Sequence, residues 1–393
     1  MRQKEPIAIM ILHILLGCVF IFSGLSKAID PVANSYQFDD YFLSFHMSFM
    51  QIFSMFAAYV MTMAEFVLGV MMICKIKMKL TAWLYLLFMS FFFLLTAWLA
   101  LAEYLEVNHG YDFGVVKDCG CFGKAIKLSN FHTFLKNVII IIPTIIVFLW
   151  RKRIPDVRMT ELGKWVAIAI ACFAVLGLQA HCHRHLPVID FSNWKVGTDL
   201  TKDYIGQDLV TETVYIYQDP VTGDTVHVSE KELMDNFQKY ESMEYVDEIS
   251  DTIQPFKQAE NYNFTMEDSS HSDLTPTLIN PKNPKPVYIV FMQDLDETHL
   301  KGLKSDDFKK VQEKCLKDSC YLYGLTNSPR EEIEEFVKKN GITFDILCCS
   351  YYIPGKGPYF VRDAIHANPG IIRVEQGKVT GKWAWRDFDE ILK

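Results

Sequence analysis

The sequence predicts an all-α membrane bundle followed by an α/β domain outside the membrane. Half of the 393 residues are hydrophobic, which is high for a soluble protein, yet 22% are charged, which is not the composition of a pure membrane bundle. The apolar residues concentrate in five long stretches before His181, and short apolar strands alternate with helical patterns after Lys285. These observations indicate a chain that is part membrane-embedded and part soluble.

Five segments approach the roughly 20 apolar residues that a transmembrane helix needs. They are Ile7–Ile29, Phe49–Cys74, Leu80–Tyr104, Phe131–Trp150 and Leu162–Ala180. The apolar core of the first segment is too long for a cleavable signal peptide, and no small-x-small cleavage site precedes a mature domain. We therefore expect the first segment to remain as an anchor.

Basic residues predict the orientation, because Lys and Arg collect in cytoplasmic loops. Three basic clusters fall on one side of the predicted spans, and they contain Arg2, Lys4, Lys75, Lys77, Lys79, Arg151, Lys152, Arg153 and Arg158. The loop Asp30–Ser48 on the opposite side has no Lys or Arg. The sequence thus predicts a cytoplasmic N-terminus and a C-terminal domain on the opposite side of the membrane. In a bacterium this is an inner-membrane protein with a periplasmic C-terminal domain, where disulfides persist. The net charge of −8 argues against a nucleic-acid partner.

The soluble half divides into a hairpin region and an α/β domain. Thr213–Tyr217 and Thr225–Val228 predict a β-hairpin around a turn-rich connection, while Glu241–Lys285 is acidic and predicts an irregular connector. The predicted division is a four-helix bundle over 1–153, a fifth helix over 154–183, hairpin and connector over 184–284, and the α/β domain over 285–393.

The last region resembles the thioredoxin fold in its order of strand, helix, strand, helix, strand, hairpin and helix. Asn368-Pro369-Gly370 precedes the fourth strand, and the resemblance implies a cis-proline at Pro369. Redox-active thioredoxins carry CxxC after the first strand, but Gln293–Thr298 contains no cysteine. We therefore expect this domain to bind or position a partner.

Three motifs in the first four spans resemble the bacterial DoxX and MauE families. Gly24 and Lys27 precede an Asp-Pro turn, Glu65 and Gly69 form Glu-x-x-x-Gly, and CGCFG at 119–123 precedes the last bundle helix. The resemblance covers about residues 1–153. It implies a four-helix bundle similar in outline to vitamin K epoxide reductase and DsbB, which pass electrons between thiols and a membrane quinone. A quinone is thus the implied cofactor.

Cys119 and Cys121 are the candidate catalytic residues. A disulfide between them closes a smaller and more strained ring than CxxC, and strained disulfides tend to be oxidising and labile. Gly120 permits the turn, and Gly123 follows it. We favour a redox-active pair, in which one cysteine exchanges with a partner and the other resolves the mixed disulfide. A static disulfide, or a two-thiolate metal site without its remaining ligands, stays open.

Glu65 and Lys27 are the candidate cofactor-binding residues. A carboxylate in the middle of a span costs about 2.5 kcal/mol or more, so Glu65 should face the bundle interior or be protonated. It is either a proton acceptor near a quinone or a buried carboxyl that fixes helix packing, and we weigh these equally. For Lys27, near the interface, we favour snorkelling to headgroups over a ligand contact.

A histidine cluster follows the fifth span. His181, Cys182, His183 and His185 are residue types that bind copper or zinc. However, the run is short, and alternate residues of an extended segment face opposite ways, so we favour interfacial polar residues. No metal is firmly implied. Cys315 and Cys320 are candidates for an extracytoplasmic disulfide.

Together these features predict a membrane thiol/disulfide redox protein. It would relay electrons between the Cys119/Cys121 pair and a lipid quinone, which makes it a quinone-linked thiol–disulfide oxidoreductase serving extracytoplasmic disulfide or sulfur chemistry. Its expected partners are the lipid bilayer and an extracytoplasmic thiol or disulfide client protein. The alternative is a non-catalytic membrane scaffold or maturation factor whose redox-inactive thioredoxin-like domain binds a partner.

Overall fold

The structure, a computed structural model, has a helical first part and a sheet-containing second part. It describes residues 5–111, 113–114, 116, 120–126, 128–205, 210–254, 264–349 and 360–393. Among these residues, six helices lie before residue 185: α1 (Ile7–Ala28), α2 (Pro31–Ser44), α3 (Ser54–Ile73), α4 (Met78–His109), α5 (Asn130–Trp150) and α6 (Glu161–Arg184). A 3₁₀ segment at Ser48–Phe53 leads into α3.

Five of these helices are long and apolar enough to cross a membrane. They are α1, α3 with its 3₁₀ extension, α4, α5 and α6, and each contains an 18-residue window of mean hydropathy between 1.9 and 2.5. The five predicted spans are therefore confirmed, with ends that differ by at most a few residues. We call the end of the bundle that holds the loop around Cys121 the Cys121 end, and the opposite end, after α3, the Lys75 end.

Glycines allow α1 and α3 to approach each other closely. A Cβ added at Gly24 would lie 2.8 Å from the Phe66 backbone nitrogen, and one at Gly69 would lie 2.7 Å from the Ile21 nitrogen. Backbone atoms of two packed helices cannot move aside for a methyl group, so both positions require glycine. The crossing places the inward side chains of α1 directly against those of α3.

Helix α2 was not predicted, because Asp30–Ser48 was expected to be a loop. Asp30 caps the helix, since its Oδ1 accepts a hydrogen bond from the Ala33 nitrogen at 3.0 Å, and Pro31 occupies the first helical turn. Asn34 Nδ2 donates to Thr62 Oγ1 at 3.0 Å and thereby fixes α2 on α3. The Asp-Pro pair thus starts a helix at the Cys121 end.

A small antiparallel sheet follows the membrane part. Its strands are β1 (Val210–Gln218), β2 (Thr225–Ser229) and β3 (Glu244–Gln254), in the order β2-β1-β3, with short helices α7 (Thr201–Tyr204), α8 (Glu230–Asp235) and α9 (Phe237–Tyr240) nearby. The predicted hairpin is confirmed. The prediction of an irregular connector is wrong for Glu244–Gln254, because this segment is strand β3 and pairs with β1 along its whole length. Acidic side chains concealed this strand, since they stand in solvent without disturbing the backbone ladder.

The larger sheet has six described strands. They are β4 (Met266–Glu267), β5 (Val287–Phe291), β6 (Tyr321–Thr326), β7 (Ile346–Cys349), β8 (Gly370–Glu375) and β9 (Lys378–Ala384). Their order is β4-β7-β6-β5-β8-β9; β5, β6 and β7 are parallel, and the other pairings are antiparallel. The accompanying helices are α10 (Thr275–Leu278), α11 (Leu300–Leu303), α12 (Asp306–Lys317), α13 (Arg330–Asn340) and α14 (Phe360–Ala364), and a 3₁₀ segment ends the chain at Trp385–Leu392.

Both faces of the larger sheet are covered, because successive residues of β5 point to opposite sides. Tyr288 and Val290 pack under α12, α13 and the terminal 3₁₀ segment. Ile289 and Phe291 pack under Trp194, which belongs to the segment before β1. The region between the bundle and residue 285 therefore supplies part of the core of the larger sheet.

The alternation of strands and helices predicted after residue 285 is confirmed. Ser305 caps α12, and Gly341 ends α13 in the left-handed conformation with a φ of 66°. The Asn368–Pro369 peptide bond is cis, as predicted. The prolines and glycines of Pro354–Pro358 predict a loop, and this segment lies outside the described residues.

Candidate functional site

The loop that contains Cys121 closes the Cys121 end of the bundle. Cys119 lies outside the described residues, so the geometry is built from Gly120 onward. Gly120 and Gly123 have φ values of 62° and 57°, and the Gly123 nitrogen donates to the Gly120 carbonyl at 2.9 Å. A Cβ at Gly120 would lie 2.9 Å from the Gln37 side chain of α2. Glycine is needed at this turn both for its conformation and for its packing.

The loop is attached to α1 directly above a buried polar cluster. Ser23 Oγ lies 2.6 Å from the Cys121 carbonyl oxygen, and the Phe122 ring packs on Phe22 with centroids 5.6 Å apart. The same Ser23 hydroxyl lies 2.7 Å from Glu65 Oε2. Because a hydroxyl has a single proton, Ser23 donates either to the loop carbonyl or to the carboxylate at any moment.

Glu65 and Lys27 form an ion pair inside the bundle. Lys27 Nζ lies 2.5 Å from Glu65 Oε1, and the residues are 6% and 3% exposed. Lys27 Nζ also lies 3.4 Å from Ser23 Oγ. The interpretation of Lys27 as a snorkelling residue is therefore wrong, since its ammonium turns into the bundle. The pairing carboxylate one helix away, across the glycine-lined crossing, draws it there.

A small cavity joins the polar cluster to the loop. Its volume is about 30 Å³, and its lining includes Ser23, Glu65, Cys121, Phe122, Lys136 and Asn137. Lys136 Nζ stands over the Phe122 ring at 4.5 Å from the centroid. Asn137 Nδ2 donates to Thr96 Oγ1 of α4 at 3.0 Å. Polar groups on several sides make the cavity suitable for one or two ordered waters, each of which needs roughly 10–15 Å³ of such volume.

The histidine cluster after the fifth span adopts helical rather than extended structure, because α6 continues to Arg184. His183 Nδ1 lies 3.0 Å from the Tyr59 hydroxyl of α3, and His185 Nδ1 lies 2.6 Å from Asp387 Oδ1 near the C-terminus. Cys182 is buried, and His181 stacks beside His185 with ring centroids 4.9 Å apart. Within the described ranges, no three His, Cys, Asp or Glu side chains converge in a way that suits a metal ion.

Cys315 and Cys320 lie at the edge of the larger sheet that is away from the bundle. Cys315 and Cys320, the candidates for a disulfide, are free thiols on either side of the turn from α12 to β6. That turn is at the amino end of β6, whereas Gln293, which follows the carboxyl end of the parallel neighbour β5, contacts the bundle. Burial raises the pKa of Cys315 to about 12. Its thiol is therefore a poor nucleophile at neutral pH.

The membrane part matches a family model described as methylamine utilisation protein MauE, over residues 5–151. The membrane part is MauE-like. The match covers α1 to α5 together with the Cys121 loop and every residue of the Ser23–Lys27–Glu65 cluster. No curated protein and no solved structure is matched significantly by the chain.

Sequence reasoning missed two residues of this MauE-like site. Ser23 precedes Lys27 by four positions and so shares one face of α1 with it, a spacing that could have revealed the pair. Asn137 is an amide within the apolar helix α5, and such a residue usually faces a neighbouring helix. The motif residues Gly24 and Gly69 lie at the α1–α3 crossing, and Pro369 lies at the start of β8 in the larger sheet.

Proposed function

We propose that the protein is a membrane thiol–disulfide exchange protein in which Cys119 and Cys121 form the reacting pair. The observation that carries the proposal is the position of Cys121, which lines the same cavity as Glu65 and whose carbonyl contacts the Ser23 hydroxyl. This contact with a buried ion pair distinguishes the Cys121 loop from a solvent-exposed turn that only happens to contain two thiols. A site that must accept and return thiol protons would need such a group.

The exchange is balanced without a further reactant. One thiolate of the pair attacks a client disulfide, so that a mixed disulfide forms while the client bond breaks and the departing client sulfur takes a proton. The second cysteine loses its proton and attacks the sulfur of the first, so that the Cys119–Cys121 disulfide forms, the mixed disulfide breaks, and the second client sulfur departs and takes a proton. The pair is then oxidised and the client reduced by two electrons, and the reverse sequence oxidises a client dithiol.

Glu65 is the proposed proton acceptor for this exchange. It is separated from the loop by a cavity with room for a water, and one water is sufficient to pass a proton from a thiol to a carboxylate. Lys27 offsets the charge of Glu65 inside the bundle, which reduces the free-energy penalty of an isolated carboxylate there. Ser23 links the carboxylate to the loop.

A lipid quinone is the electron acceptor that the family resemblance implies, but the residues around this cavity do not fit one. Pockets that hold small molecules and cofactors usually measure about 300–1,000 Å³, and this cavity, at about 30 Å³, is far smaller. We therefore route no step through a quinone. Two-electron exchange with a client protein requires none.

We further propose that the C-terminal part is a thioredoxin-like domain, which is consistent with a role in thiol–disulfide exchange. Parallel β5 and β6, antiparallel β8 and β9, and the cis peptide before β8 are the features that support this assignment. We further propose that the Cys121 end faces the bacterial periplasm. The basic residues Lys75–Lys79 and Arg151–Arg158 at the opposite end support this orientation.

Single Cys119→Ser and Cys121→Ser variants in native membranes test the exchange. We expect one of them to accumulate a mixed disulfide with a client after acid quenching and alkylation, and the double variant to accumulate none. Cys18→Ser, which removes a thiol on the exposed side of α1, is the matched control. If the redox state of the pair stays fixed across a glutathione titration and neither variant traps a client, exchange is wrong and the scaffold alternative remains.

A further inference from the structure

We propose that the C-terminal domain is a reversible cap, which docks on α2 through a polar interface and, when docked, limits access to the Cys121 loop. The client exchange that such a cap would regulate rests on the proposed function. The docking itself rests only on contacts between the two halves of the chain. These contacts come from α14 and the segments beside it on one side, and from α2 and the Cys121 loop on the other.

The first contact is a buried histidine–carboxylate contact at the start of α2. His366 Nδ1 lies 2.7 Å from Asp30 Oδ2, and both side chains are 4% exposed. Asp30 is also the cap of α2, so a single carboxylate both begins the helix and holds the domain. Burial makes this contact specific, because either side chain would lose its hydrogen-bond partner in a place that water does not reach if the other were absent.

The second contact is centred on Arg362 of α14. Its Nη2 lies 3.1 Å and 3.3 Å from the two carboxylate oxygens of Asp40, and its guanidinium stands over the Tyr36 ring at 4.6 Å. The Tyr36 hydroxyl in turn donates to Gln293 Oε1, which follows β5. Burial raises the pKa of Tyr36, so its hydroxyl remains a donor at physiological pH.

The third contact reaches the loop itself. Lys124 Nζ, three residues after Cys121, lies 3.5 Å from Asp363 Oδ1 of α14. On the other side of the loop, Gly120 packs against Gln37 of α2. The loop thus contacts α2 on one side and α14 on the other, and the contact with α14 lies three residues from Cys121.

The charges of the two surfaces are complementary. Asp30 before α2 and Asp40 within it face His366 and Arg362, and α2 has no Lys or Arg. Asp363, beside Arg362, faces Lys124 of the loop instead. Polar interfaces of this kind between domains of one chain are typical of contacts that open and close. The domain stays attached through α6 when it undocks, so redocking is intramolecular and needs only modest contact energy.

Carbodiimide cross-linking reports the docked state, because it joins a lysine amine to a carboxylate in direct contact. In membranes of the full-length protein, we expect a Lys124–Asp363 cross-link detectable by peptide mass spectrometry. Arg362→Glu places two carboxylates together and should reduce its yield by roughly tenfold or more. The exchanged pair, Asp40→Arg with Arg362→Asp, should restore it. Arg373→Glu, on β8 and bonded within its own sheet, is the control.

The same variants measure access to the site by labelling with a bulky maleimide, read at the Cys121 peptide. We expect labelling to rise in Arg362→Glu, to fall back in the exchanged pair and to be unchanged in Arg373→Glu. Tyr36→Phe removes only one hydroxyl and should increase labelling of Cys121 to a smaller extent. This milder variant tests the cap even if Arg362→Glu misfolds. An absent cross-link in the wild type overturns the docking, and unchanged labelling despite a lost cross-link overturns the cap. Normal opening with no client exchange overturns only the proposed function.

Discussion

The buried ion pair between Lys27 and Glu65 gives the sharpest quantitative prediction. We expect Lys27→Met or Glu65→Gln alone to destabilise the bundle strongly. Each variant leaves the remaining member of the pair without its counter-charge at a site that is almost closed to water. Removing one member of a buried pair costs about 3–5 kcal/mol. The double variant removes both members and should lose much less than the sum of the single losses.

The assay is thermal unfolding in detergent at one fixed heating rate, since membrane proteins often unfold irreversibly and only a common rate allows comparison. With a shift of about 2–4 °C per kcal/mol for a large domain, each single variant should lower the apparent midpoint by roughly 6–20 °C. Lys309→Met breaks an exposed pair with Asp306, and it should shift the midpoint much less than either single variant of the buried pair.

Two results would contradict this reasoning. If both single variants melt like the Lys309→Met control, the pair lies in a hydrated channel and not in a low-dielectric bundle. If the double variant loses as much as the two single variants together, the charges are not coupled and the contact at 2.5 Å does not hold the helices.

Three further predictions follow from the same geometry. Ser23→Ala should leave the bundle folded but free the loop, which we expect to appear as faster maleimide labelling of Cys121. Gly24→Ala forces α1 from α3 and should lower the melting midpoint as the broken ion pair does, whereas Gly177→Ala on α6, where a Cβ meets nothing within 4 Å, should not. Burial raises the pKa of Cys315 to about 12, so only about one thiol in 10⁴ should be a thiolate at pH 8 in the folded protein. The alkylation rate of Cys315 should therefore be low at pH 8 and should rise about tenfold per pH unit. An alkylation rate at pH 8 equal to that of the denatured chain would refute this.

The apolar spans and the central strands could be predicted from sequence because their signals are local. A span such as α5 is a long and mainly apolar segment, and β5 is a short apolar run preceded by Pro284 and Pro286. Strand β3 could not be recognised, since its acidic residues resemble a connector and only its pairing with β1 reveals the strand. The docking of Arg362 on Asp40 joins residues 322 positions apart, and no local pattern carries that information.

The interpretation of Lys27 was wrong because it considered the motif on α1 without the motif on α3. Considered alone, a lysine near a helix end is best explained by snorkelling. Gly24, however, packs on Phe66, the neighbour of Glu65, and Gly69 packs on Ile21, two residues before Ser23. The two glycines therefore fix the crossing that brings Ser23, Lys27 and Glu65 together. Glycines and charges of the two motifs form one unit, and a change in either should separate the carboxylate from the Cys121 loop.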